Sequence, residues 1–139
     1  MVYRFDTDTR ASNSGVQSGS EEYEARWEQA GVRNAEWAAS WLGTLKNLQG
    51  DWRVEWLSVP LPMPSVWKRI QGGRGETRIS PIGPKLPFEL EQGERSVALI
   101  YHQPLSFLVD ELRLEADGTW LGRAEAVGIC YAWFSMVPR

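Results

Sequence analysis

From Gly50 onward the chain changes its hydrophobic period, and that change limits the folds open to it. Trp52, Val54 and Trp56 alternate with Arg53, Glu55 and Leu57, as in a strand with one buried face. Pro60, Pro62 and Pro64 then interrupt regular pairing and imply an extended edge or loop. Further strand-like runs follow at Ser65 to Ile70, Glu76 to Ser80, Leu86 to Leu90, Ser96 to His102, Ser106 to Glu115, Thr119 to Val127 and Ile129 to Val137. Most are divided by turn formers: Gly72-Gly73, Pro81 to Pro84, Gln92-Gly93 and Ala116-Asp117-Gly118. Asp117-Gly118 is the strongest hairpin signal among them. Eight short strands without intervening helices argue against a parallel α/β sheet and fit an antiparallel meander. Closing the meander removes its exposed edges, and an eight-stranded barrel leaves room for one small ligand. The expected fold is therefore mainly β, an eight-stranded antiparallel up-and-down barrel. An open α+β sheet crossed by a helix is the alternative.

Ahead of the strands, Ser20-Glu21-Glu22 opens a helix with an N-cap and acids in its first turn. Tyr23 and Trp27 share a face, and Gly31 is expected to interrupt. Trp37, Trp41, Leu45 and Leu48 continue an apolar stripe, widened by Ala38 and Leu42, until Lys46 and Gly50 close it. Such a face must dock, either on the outside of the barrel or across one end. Residues 1–19 are small and polar, which predicts a flexible tail or a lid over a pocket; residues 20–139 form a single domain.

Counts remove several functions. The chain of 139 residues has one His and one Cys, too few for Cys/His-ligated metals, and no cofactor is implied. Its size needs no disulfide or metal staple. Cys130 has no intrachain partner, which suggests a reducing, cytoplasmic setting. A formal charge of −3 gives no general attraction to nucleic acid. No stretch approaches the ~18 apolar residues of a membrane span, and the N-terminus lacks a signal-peptide h-region. Eight Trp in a chain this short imply that something flat and apolar is packed or bound.

Leu48-Gln49-Gly50-Asp51-Trp52 places Gly-x-Trp at a helix-to-strand junction. This resembles the opening of the lipocalin and wider calycin barrels. The resemblance implies that Gly50 and Trp52 are structural, with Trp52 closing the barrel base. It also implies a basic residue from the last strands over that ring, for which Arg123 and Arg139 are the two candidates.

The most informative run for chemistry is Phe107 to Leu114. Leu112 and Leu114 face inward opposite Arg113 and Glu115, and the same parity carries Asp110 and Leu108 inward. A carboxylate on an apolar wall needs a partner, and Arg123 on the neighbouring hairpin strand is one candidate. Asp110 is then a polar anchor or a general acid/base, with Tyr101 and Tyr131 as accompanying catalytic candidates; a strand-end carboxylate satisfied structurally is the plainer alternative. Trp56, Trp67, Leu112, Trp120, Arg123 and Trp133 are the candidate ligand contacts. The last strand puts Ile129, Tyr131 and Trp133 on one face and Cys130, Ala132, Phe134 and Met136 on the other. Both faces are apolar, so the N-terminal helix should cover the outer one. His102 has no second His or Ser motif to make a triad, and Cys130 reads as an inert thiol. Gly72 to Gly75 lacks the Lys-Ser/Thr ending of a phosphate loop. Three functions remain: a barrel enclosing a hydrophobic small molecule, a cofactor-free isomerase or cyclase (pericyclic ring closure included) in the same cavity, or a protein-interaction module with an exposed apolar patch and no cavity. Homodimerisation is left open.

Overall fold

The computed structural model describes residues 20–36, 41–79 and 82–139, with the backbone alone for residues 41–44. Two helices precede eight strands: α1 (Ser20–Asn34), α2 (Trp41–Leu48), β1 (Gly50–Ser58), β2 (Val66–Gln71), β3 (Arg74–Ile79), β4 (Lys85–Gln92), β5 (Val97–Tyr101), β6 (Leu108–Leu114), β7 (Trp120–Ala126) and β8 (Ile129–Pro138). Each strand pairs antiparallel with the next, and β8 returns to β1 to close an up-and-down barrel. The closing register, from Trp52 opposite Pro138 to Trp56 opposite Phe134, excludes the open sheet. The turns obey local chemistry: Gly72 and Gly118 take φ of 69° and 90°, which a side chain resists.

The two ends of the barrel differ. At the base, Leu48, Trp52, Ile70, Leu99, Leu112, Trp120 and Met136 form a solid plug. α2 delivers Leu48 into it, and Trp52 Nε1 donates to the Leu48 carbonyl at 2.9 Å. Gly122 is needed here, because a Cβ would come within 2.2 Å of the Phe134 ring. The opposite end, where the β1–β2, β3–β4, β5–β6 and β7–β8 connections lie, is the mouth.

The outer face of β6–β8 is as buried as the inner one because α1 lies across it. Trp27 is 1% exposed and meets Trp133 edge-on at 5.8 Å, with Leu121 and Tyr23 completing the contact. Two guanidinium groups cover the same indole, Arg113 at 4.3 Å and Arg123 at 4.6 Å. Arg113 is fully buried and donates from Nη1 to the Trp27 carbonyl at 2.9 Å. Asn34 pins the other end of the helix by exchanging hydrogen bonds with the Leu114 backbone.

Three expectations need correction. Gly31 does not interrupt α1; it sits inside the helix because a Cβ would come within 2.4 Å of Arg113 Nη1. Trp133 and Arg123 face outward beneath α1, and neither reaches the barrel interior. The alternation along β8 fails at a bulge: Glu125 pairs with Cys130 but Ala124 pairs with Ala132, which makes Tyr131 the extra residue. Tyr131 therefore turns inward together with Ala132, Phe134 and Met136. Trp37 and Ala38 lie outside the described residues, as do residues 1–19 and the side chains of Trp41 and Leu42.

Candidate functional site

Above the plug, the mouth half of the barrel holds a cavity of about 170 Å³. Its walls are apolar and come from most of the strands: Val54, Trp56, Val66, Ile79, Leu86, Leu108 and Phe134. Met63 and Pro64 of the β1–β2 connection overhang it. Trp56 is held against that connection because its Nε1 donates to the Pro64 carbonyl at 3.1 Å.

One polar quartet interrupts this lining. Lys68 Nζ donates to Thr77 Oγ1 at 2.7 Å, to the Tyr101 hydroxyl at 2.8 Å and to Asp110 Oδ2 at 2.8 Å. These three bonds use all three ammonium protons. The Tyr101 hydroxyl in turn donates to Asp110 Oδ2 at 2.8 Å and lies 2.7 Å from Thr77 Oγ1. Phe88, Tyr101 and Phe134 also surround the ammonium at 5.5–5.7 Å from their ring centres. A buried charge is tolerated only when paired and hydrogen-bonded, and here both conditions hold. Burial, and then the Asp110 charge, push the Tyr101 phenol well above its ordinary pKa. It is a fixed proton donor at neutral pH.

Both bonds to Asp110 fall on Oδ2. Oδ1 takes neither of these bonds. Tyr131 lines the same cavity and makes no hydrogen bond with any described residue. Burial foremost, then Asp110, raises its pKa, so its phenol also stays protonated. The cavity thus offers one acceptor and one donor inside an apolar wall.

Asp110, Tyr101 and Tyr131 are brought together, and Trp56 joins them in the lining. The other expected contacts are elsewhere. Trp67 faces outward, stacked under Arg78 at 4.7 Å and Arg139 at 3.9 Å, because β2 turns Val66, Lys68 and Ile70 inward. Leu112 and Trp120 do face inward, but into the solid base below the cavity. Arg123 is not the counter-ion of Asp110; it pairs with Glu125 at 3.0 Å and Glu111 at 3.9 Å on the outer face. Gly50, with φ of 117°, and Trp52 occupy the junction and the base. Neither Arg123 nor Arg139 lies over Trp52, since their rings are Trp27 with Trp133 and Trp67, respectively.

Sequence reasoning missed Lys68 and Thr77. The signal was present: Lys68 shares parity with Val66 and Ile70, as Thr77 does with Ile79. An inward-pointing lysine between two aliphatic residues was the natural partner for an inward aspartate.

Two further features carry less chemistry. A groove of about 380 Å³ between α1 and the β6–β7 turn is lined by Arg26, Arg33, Glu115 and Asp117. The Arg26 and Glu115 side chains are joined there by two hydrogen bonds, so they satisfy each other. Cys130 is raised to about 11, chiefly by burial, so its thiolate is scarce. Its alkylation by iodoacetamide at pH 8 should run on the order of 10²-fold slower than that of a free thiol. A rate near the free value would show that the thiol is not held beneath α1.

Fold and site define a closed eight-stranded antiparallel barrel with a polar-anchored apolar cavity at one end. No protein-family model, curated protein or solved structure matches the chain. Among the described residues no helix is long and apolar enough to cross a membrane, and no group of His, Cys, Asp or Glu is placed to hold a metal.

Proposed function

We propose that the barrel binds a small hydrophobic molecule whose polar end meets Asp110 and Tyr131. The observation that carries this is the cavity's composition: apolar walls with an unused acceptor on Asp110 and a protonated phenol on Tyr131. Pockets of this kind take their affinity from apolar burial and their orientation from a few polar groups. The space exceeds the 150 Å³ that holds a benzene ring in an engineered protein cavity, so one or two fused rings fit. Longer guests extend through the mouth. A guest with a hydroxyl would donate to Oδ1 and accept from Tyr131.

A second reading, cofactor-free isomerisation or cyclisation of such a molecule, draws on the same pair of groups. Asp110 Oδ1 is a hydrogen-bond acceptor, and the Tyr131 phenol is a donor in the same cavity lining. Holding a flexible chain folded between them removes the rotational freedom that opposes ring closure. The interaction-module reading is disfavoured by the cavity, because a module of that kind needs none.

The test begins with native mass spectrometry of the purified protein, then denaturing extraction of anything released. Titration with naphthol against naphthalene follows, read by quenching of Trp56. Naphthol should bind more tightly than naphthalene, and Tyr131→Phe should erase roughly five-fold of that preference. Leu108→Trp, which fills the cavity, should abolish both. Equal affinities that survive Leu108→Trp would sink the cavity as the site.

A further inference from the structure

Six large apolar side chains are exposed among the described residues, and five of them ring the mouth: Leu61, Ile82, Phe107, Val127 and Ile129. Only Val32, on α1, lies elsewhere. Single exposed apolar residues are ordinary, but a ring drawn from every connection at one end of a barrel is not. Ile82 is 97% exposed and Val127 77%.

The charges follow the same division. The connections at 59–65, 80–84, 102–107 and 127–128 contain none of the chain's 18 acidic residues. His102 is their one titratable group, and exposed Lys85 stands at their edge. The turns at the base, by contrast, carry Glu94, Arg95, Glu115 and Asp117. Six of the chain's eight prolines fall in the mouth connections, so these loops have little backbone freedom to lose on docking.

Val127 adds an independent observation. It takes φ of 53° at the first position of the Val127-Gly128 turn. A β-branched residue is strained there, and Asn or Gly would relieve the strain. The fold therefore keeps an apolar tip at a position where a polar residue would be more stable, as functional sites do.

We infer that the mouth rim docks on a lipid surface containing anionic headgroups. Five apolar side chains spread over four connections around an opening do not form the contiguous packed core that a protein partner requires. A fluid apolar layer accepts separated tips without shape complementarity, and its anionic headgroups meet no acid on these loops. The inference goes beyond the cavity reading and stands without it.

The experiment is flotation of the full chain with vesicles of phosphatidylcholine and phosphatidylserine in a two-to-one ratio. The wild type should float with the vesicles. Phe107→Ser should lower its partition coefficient about tenfold, and Val127→Asn several-fold. Val127→Asn should also raise Tm by a few degrees, so its lost binding is not unfolding. Val32→Ser, on an equally exposed valine of α1, should leave partitioning unchanged. A wild type that stays with the unbound protein overturns the inference. So does an equal loss from Val32→Ser. Concentration-dependent dimers that Phe107→Ser abolishes, in a protein that ignores vesicles, would give the rim to a second copy instead.

Discussion

Lys68→Met should destabilise the barrel by about 3–5 kcal/mol, the range for breaking a buried ion pair by removing one partner. The ammonium is 3% exposed at its side chain and the Asp110 carboxylate 10%, so water cannot replace the lost cation. Tyr101 and Thr77 lose a donor at the same time. Urea unfolding reads the effect as a lower midpoint at an unchanged slope. The double variant Lys68→Met/Asp110→Leu removes both charges and should recover most of the loss, because desolvation of the pair offsets much of its attraction. If the single variant were near neutral, Asp110 would have to be wet, and the quartet would not be a built site.

Trp52→Ala should cost about 3–5 kcal/mol for a different reason, the cavity left by a large core side chain. Trp52 is 7% exposed, packs among Leu48, Ile70 and Met136, and bonds to the Leu48 carbonyl. Its loss opens the base from below and frees the end of α2 together. Calorimetry should show a large fall in Tm, with ligand binding at the mouth changed far less than stability. A near-neutral result would mean that α2, and not the indole, seals the base.

The two variants test opposite halves of one design. The base is apolar and closed, which fixes the barrel's shape. The mouth half gives up apolar packing for a paired charge and an open volume.

Much of this was legible in the residues. Every expected strand is present, with its ends displaced by no more than two residues. Strand alternation and turn chemistry are local, so the chain from Gly50 to Pro138 declares its strands without help from the fold. Asp110 was also legible, since Leu112 and Leu114 fix its parity and no bulge intervenes in β6. Trp67 was misplaced because its residue type outweighed its parity. Alternation already put Val66, Lys68 and Ile70 on one face, and apolar burial decides which face turns inward.

Other features lay beyond any one-dimensional pattern. β8 is apolar on both faces, so alternation divides its side chains into two sets without saying which is inside. α1 decides that by covering Leu121 and Trp133, and Arg123 follows them outward. The bulge at Tyr131 adds one residue against β7, and nothing in Cys130-Tyr131-Ala132 marks it. The pairing of Lys68 with Asp110 joins β2 to β6, strands that are not neighbours in the sheet. Only closure of the barrel brings their inner faces within 2.8 Å. The sequence by itself determined the strands, their turns and the inward aspartate, because those depend on neighbours along the chain. The tertiary structure alone decided the aspartate's partner, the inward turn of Tyr131 and which aromatics line the cavity, because those depend on what packs across it.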